Sequence, residues 1–467
     1  TFYNTYAICA FAAIGGGLFG FDISSMSGVL AAGYRQGGIT ASMPAGSLVG
    51  SLASSFIADR LSRRTAIQVA ALIWIIGSVF QTATNGVALL CFGRVVSGFS
   101  IGVASAIVPV YQSEIAPKEI RGRVVSLQQW AITWGILIQY FIQYGASFVD
   151  GGPKDPNQGT SSFRIPWGIQ MVPGFILFVG MFFFPYSPRW LASKDRWEEA
   201  VQVLAHLHGG GDVTHPKVLA EYKEIEEALA FEREQADTSF TALTKPRIIR
   251  RVILGMSIQM WSQLCGMNIM MYYIIYIMES ASIASPLLTS SIQYILNVLM
   301  TLPAILYLDR FGRRPALLTG SLLMSFLLFI SGALQASYGT YYNDPDKHTS
   351  WHIVGHKRVS QGVVACSYLF VASFATTWGP TSWTYPAEIF PARMFLTAPE
   401  TKGKTLEEMD DVFDRGIPAW KTHGGASRLD KLQRDIEKGE VKVTTGRGHG
   451  NERGEAVEGT EEVETKA

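Results

Sequence analysis

Charge is scarce in this 467-residue chain. Only 16% of its residues are charged, against about 25% in an ordinary soluble domain. A soluble globular fold is therefore excluded for most of its length. Cysteine is scarce too. Cys9, Cys91, Cys265 and Cys366 all lie inside apolar stretches, with no loop spacing suited to a disulfide or a metal. They read as small buried hydrophobes. There is no Asn-x-Ser/Thr sequon and no HExxH motif, and an enzyme is not expected. Lys402-Gly403-Lys404-Thr405 ends like a phosphate-binding loop, but Ala398 stands where its leading glycine is required. His348, His352 and His356 share an i, i+4 spacing in a loop. They read as ordinary exposed histidines, so no metal or cofactor is expected. The net charge of +1 singles out no charged partner, and nucleic acid is not expected.

What the chain has is apolar length. Residues 6–30, 39–58, 65–84, 87–112, 124–149, 165–184, 251–278, 286–308, 315–338 and 360–386 are largely free of charge. Each can cross the roughly 30 Å hydrocarbon core of a lipid bilayer as a helix. This predicts an all-α integral membrane protein with ten spans. The basic residues cluster in short loops. Arg60, Arg63 and Arg64 occupy one, Lys118, Arg121 and Arg123 a second, and Arg310, Arg313 and Arg314 a third. The positive-inside bias puts these loops and both termini in the cytoplasm.

One motif occurs twice. Asp59-Arg60-Leu61-Ser62-Arg63-Arg64 returns as Asp309-Arg310-Phe311-Gly312-Arg313-Arg314, each copy directly after an apolar segment. Such a repeat marks a duplicated membrane half, and proteins built so are mostly transporters with the solute site at the repeat interface. The expected organisation is an N-terminal six-helix bundle over 1–184 and a cytoplasmic helical unit over 185–250. An incomplete C-terminal bundle follows over 251–390. A cytoplasmic tail covers 391–467, mostly disordered after 415. The incompleteness is read from the repeat. Glu114 and Pro185 are 71 positions apart and enclose two spans, whereas the matching Glu388 and Pro399 are 11 apart. About two helices are missing from the second half.

Ionisable groups inside spans are costly and mark function. Asp22 lies in span one and Arg94 in span four, heading Arg94-x-x-x-Gly98-x-x-x-Gly102. A carboxylate that gains and loses an arginine partner can carry a proton; a permanent structural ion pair is the alternative. Gln128 and Gln129 in span five, Gln263 and Asn268 in span seven and Asn297 in span eight are amides within apolar runs. Amides both donate and accept, as a polyhydroxylated solute requires. Trp383 in span ten offers an indole face to the apolar face of a sugar ring.

Together these residues resemble the sugar porter family of the major facilitator superfamily, in the style of fungal high-affinity hexose transporters. The resemblance runs from about Tyr6 to Asp411. It rests on Gly17-Leu18-Phe19-Gly20-Phe21-Asp22, both arginine motifs, Pro109-Val110-Tyr111-x-x-Glu114-Ile115-Ala116-Pro117, Gln263 to Asn268, and Pro399-Glu400-Thr401-Lys402-Gly403. It implies a two-bundle fold in which Gln129, Gln263, Asn268, Asn297 and Trp383 contact the sugar. It implies that Tyr272 and Tyr273 help gate span seven from outside, and that Asp22 holds the position where proton-coupled members keep an acid and many facilitators an amide. It also implies a cytoplasmic lock built from Asp59, Arg60, Arg64, Glu114 with Arg121, Asp309, Arg310, Arg314 and Glu388. Three departures are visible: Ser262 in place of a second glutamine, Tyr186 in place of an acid, which should weaken the lock, and the absence of spans eleven and twelve.

The expected function is transport of a hexose, glucose-like or possibly xylose, across the plasma membrane by alternating access, with proton symport preferred to facilitation. A transporter-like sugar sensor and a non-transporting product lacking two spans are the alternatives.

Overall fold

The computed structural model describes residues 3–25, 33–117, 120–149, 160–234, 246–272, 274, 277–278, 286–341, 351–353, 356–389 and 434. The tail expected over 391–467 lies outside the described residues apart from that last position. So do Tyr273 and the side chains of Tyr272, Asp309, Arg310 and Glu388.

The first half runs through α1 (Thr5–Ala12), α2 (Ile14–Ser25), α3 (Gly33–Leu61), α4 (Arg63–Thr82), α5 (Val87–Ile115), α6 (Arg121–Ala146), α7 (Ser161–Ile169) and α8 (Met171–Gly180). α1 with α2, and α7 with α8, each make up one span. The second half holds α12 (Pro246–Leu264), α13 (Met267–Tyr272), α14 (Pro286–Phe311) and α15 (Arg313–Tyr338). After these come α16 (Lys357–Thr376) and α17 (Trp378–Ile389). All ten expected spans are thus helical over most of their described residues, and the chain is a multi-pass membrane protein. Among the described residues, eight helical units are long and apolar enough to cross a bilayer. The other two expected spans, α6 and α12–α13, are too polar to qualify. They are the ones that carry glutamines and asparagines inward. A feature not foreseen is a two-stranded antiparallel pair between α15 and α16: β1 (Gly339–Tyr341) and β2 (Trp351–Ile353), with Thr340 opposite His352.

In lipid, helices associate through close packing rather than through the hydrophobic effect. α3 and α5 show this at Gly46 and Gly102, where an added Cβ would lie 2.1 Å from the carbonyl oxygens of Val95 and Ser47. One core gathers Trp74, Tyr111 and Leu177 in the first half. A second gathers Tyr294, Phe370 and Tyr385, and also takes in Ile132, Ile136 and Tyr140 of α6. α6 packs on α2 on one side and on α14 and α17 on the other. By sequence it belongs to the first half; by packing it lies in the seam.

Between the halves lie α9 (Pro188–Ser193), α10 (Trp197–His208) and α11 (Pro216–Glu234). Ser187 caps α9, its hydroxyl accepting from the Trp190 amide at 3.3 Å. Val201 and Leu204 of α10 pack on Val218 and Tyr222 of α11. His208 joins this unit to the membrane half: its Nε2 donates to the Ile115 carbonyl at 3.0 Å. That carbonyl is one of those left over at the end of α5.

The repeated motif gives a repeated turn. Ser62 links α3 to α4 at φ 94, ψ 157, and Gly312 links α14 to α15 at φ 91, ψ 156. Only glycine occupies that region without strain. Ser62 is held there by capping α4, its hydroxyl accepting from the Thr65 amide at 3.2 Å. Strain in this region costs about 1–3 kcal/mol. The lost cap and the greater freedom of glycine in the unfolded chain offset part of this. Ser62→Gly is therefore expected to stabilise the protein by about 1 kcal/mol, raising the thermal midpoint in detergent by about 1–2 °C. Ser62→Val should lower it.

Candidate functional site

Asp22 on α2 and Arg94 on α5 are both wholly buried. Arg94 Nη2 lies 2.9 Å from Asp22 Oδ2 and Nη1 3.4 Å from Oδ1. The guanidinium Nε donates to the Ile39 carbonyl of α3 at 3.1 Å. One arginine therefore fastens three helices. A buried charge needs such pairing and hydrogen bonding to exist at all. The pair is close to, but not part of, the cavity described next; the neighbour Ile23 lines it instead.

That cavity is a partly open space of about 540 Å³, the solvent at its mouth included. Gln129 of α6, Gln263 of α12, Asn268 of α13, Asn297 of α14 and Trp383 of α17 all line it. Residues more than 250 positions apart thus meet where the halves abut. The Trp383 indole Nε1 donates to Gln129 Oε1 at 2.8 Å. Asn268 Nδ2 donates to Gln263 Oε1. Asn297 is 2% exposed, and its Oδ1 has no protein hydrogen-bond partner among the described residues. An acceptor buried in this way and facing a cavity is completed by a ligand donor or by water.

Helix breaks set these positions. Gly266, at φ +87, separates α12 from α13 and lets Gln263 and Asn268 face one space. Thr377, at φ −126, ψ −79, separates α16 from α17 and redirects the segment bearing Trp383. Gly379 leaves room for Gln129: an added Cβ would lie 3.2 Å from its Nε2. Two polar residues of α12 were not expected in the lining. Gln259 and Ser262 both line it. Spacings of i, i+3 and i+4 to Gln263 are the signal that could have found Gln259. Ser262, read as a lost contact, still faces the space with a shorter side chain. Gln128, grouped with Gln129 in the sequence, does not line the cavity. It is buried against Gly16 of α2, because adjacent helical residues point about 100° apart.

At the end that carries the arginine motifs, Arg63 lies 3.2 Å from Asp59 and 3.3 Å from Glu114. Among the described residues Arg63, not the expected Arg121, is the ion-pair partner of Glu114. Arg64 donates to the Phe182 carbonyl at 2.9 Å, and its guanidinium sits 4.7 Å over the Tyr186 ring. The departure from an acid at position 186 therefore substitutes a cation–π contact for an ion pair. Arg60 lies over Phe56 at 4.0 Å. Tyr186 in turn stacks on Trp190.

Two helical halves, a repeated arginine turn, broken helices and a polar cavity at the seam define a membrane transporter of the major facilitator type. The chain belongs to the sugar transporter family: the profile described as "Sugar (and other) transporter" matches residues 2–394. It is 59% identical to "MFS glucose transporter mfs1" of Aspergillus flavus, over 95% of this chain and 96% of that protein. It is 33% identical to the "Galactose-proton symporter" of Escherichia coli K12, over 83% of this chain and 79% of that one. In fold it is similar to the proton:xylose symporter XylE bound to 6-bromo-6-deoxy-D-glucose. That likeness has a TM-score of 0.69 and 24% identity, and covers 83% of this chain and 82% of the other. The Aspergillus alignment is 510 positions long, whereas 95% of 467 residues fills only about 444 of them. About 66 positions therefore face gaps in this chain.

Removing one member of a buried ion pair leaves the other charge uncompensated, at about 3–5 kcal/mol. Arg94→Leu is expected to lower the thermal midpoint in detergent far more than Asp22→Asn, which keeps an acceptor for the guanidinium. Little effect in either variant would show that the pair does not hold α2, α3 and α5 together.

Proposed function

We propose that this chain carries a hexose, glucose-like or xylose, across the plasma membrane by alternating access, coupled to a proton. Its arginine-rich loops and both termini are cytoplasmic in this reading. The observation that carries it is the convergence of Gln129, Gln263, Asn268, Asn297 and Trp383 from both halves on one cavity. Such an arrangement can hold a polyhydroxylated ring by amide hydrogen bonds and an indole face. Its walls belong to two bodies whose relative tilt decides which side of the membrane it opens to. The names of the relatives support a sugar as the cargo.

Asp22 and Arg94 act as the proton device. With Arg94 engaged, the carboxylate has a cation for a partner. When the helices separate, Asp22 loses its partner in an apolar setting and takes up a proton. Tyr272 and Tyr273 are assigned to the outer gate of span seven. Asp59, Arg60, Arg64, Glu114, Arg121, Asp309, Arg310, Arg314 and Glu388 are assigned to the inner lock. The contacts of Arg63 and Arg64 support that assignment at its described end. A membrane potential supplies about 2.3 kcal/mol per charge per 100 mV, so one proton can drive more than tenfold accumulation.

A second reading rests on the gap of about 66 positions against the Aspergillus protein. Two spans with their connections need that many residues. Without them the second half would lack part of a wall, and the chain would reach the membrane without transporting. Expression in cells that lack hexose carriers separates the readings: uptake supports the first, surface localisation without uptake the second.

In cells that take up glucose through this chain, uptake should rise as external pH falls. Asp22→Asn should abolish accumulation against a gradient and the pH response while retaining exchange of labelled for unlabelled sugar. Accumulation surviving in that variant would remove Asp22 from coupling. Gln129→Ala should raise KM for glucose by about tenfold, the scale of one hydrogen bond or so, with the maximal rate within about twofold. An unchanged KM would remove Gln129 from the site.

A further inference from the structure

α13, Met267–Tyr272, is only six residues long, and a helix so short is marginal on its own. The next helix holds it by the backbone. Gln293 Nε2 of α14 donates to the Met270 carbonyl at 3.0 Å, and the Tyr294 hydroxyl donates to the Met271 carbonyl at 3.1 Å. Both donor residues are buried. Gln293 Oε1 has no protein hydrogen-bond partner among the described residues. A half-satisfied buried amide is costly, and the bond from its nitrogen to α13 offsets that cost. The Tyr294 ring packs on Tyr140 of α6 with 4.6 Å between centroids, which carries the contact across the seam. Asn297 lies four and three positions beyond these donors, on the same face of α14. It lines the cavity, as does Met271. One face of α14 therefore touches both the cavity and the segment that ends at Tyr272.

We propose that Gln293 and Tyr294 are positioning residues for translocation. Together they clasp the α13 backbone and set the place of the gate segment that begins at Tyr272. A sugar hydroxyl bound to Asn297 acts on the turn of α14 next to the clasp, so cargo and gate share one helix face. This deepens the transport reading and rests on it.

The first test is hydrogen exchange of the purified full chain in detergent, read over residues 267–272. Gln293→Met and Tyr294→Phe each remove a donor with little change of shape. Each should speed exchange of that segment by about threefold to tenfold, the scale of one hydrogen bond, and the double variant should speed it further. Tyr368→Phe is the control. It removes a bond of the same kind, from the Tyr368 hydroxyl of α16 to the Thr289 carbonyl of α14 at 2.7 Å. A separate bond of that sort should leave the segment's exchange within about twofold of wild type. The second test is glucose handling. Gate closure is a step of every cycle, so the double variant should lower the maximal uptake rate by about tenfold. Equilibrium binding of radiolabelled glucose should stay within about twofold, because the cavity groups are untouched. Unchanged exchange in the double variant, equal acceleration in Tyr368→Phe, or a loss of binding as large as the loss of rate overturns the proposal. Those results with wild type still taking up glucose sink the proposal alone. Absence of uptake by wild type sinks the transport reading, and the role in translocation with it.

Discussion

The bidentate pair of Asp22 and Arg94 is the contact on which the first half depends. Both groups are wholly buried, so each as an ion leans on the other. Because Arg94 also holds the Ile39 carbonyl, the position of α3 against α5 and of α2 against both is set at one point. The glycines at 46 and 102 then let the backbones close around it. A hydrophobic substitute could fill the space but could not fix the register of three helices at once. Nor could it be released by a proton. The same contact is thus a fastening and, in the proposed mechanism, a trigger.

The duplicated halves share more than a motif. The turn at Ser62 and the turn at Gly312 have nearly the same backbone angles, although only one has the residue that suits them. The halves diverge where chemistry is asked of them. The first half supplies the buried ion pair. The second supplies the broken helices, at Gly266 and Thr377, that turn polar side chains inward. α6 is the exception that joins them, since it packs into the core of the half to which it does not belong in sequence.

The ten spans were legible because a bilayer imposes a length and an apolar composition that no other environment demands. The cavity residues were legible as amides where amides are costly, and through the family resemblance. What escaped was whatever depends on register or on contact between distant segments. Gln128 and Gln129 are chemically alike, and only helical phase separates a packing residue from a cavity one. Gln259 stands one helical turn before Gln263, and only the fold shows that it faces the same cavity. Tyr186 looked like a lost ion pair; that an arginine would lie over its ring follows from the fold of the loop. The strand pair at Thr340 and His352 has no apolar alternation strong enough to announce it.

The bond from Trp383 to Gln129 spans the two halves. A tilt of one half against the other must stretch it, so the cavity wall is mechanically tied to the rigid-body motion without any contact at the arginine turns. In the proposed mechanism the Gln129 oxygen keeps a second lone pair for a sugar hydroxyl. Closure of the seam and recognition of the cargo then draw on one and the same acceptor.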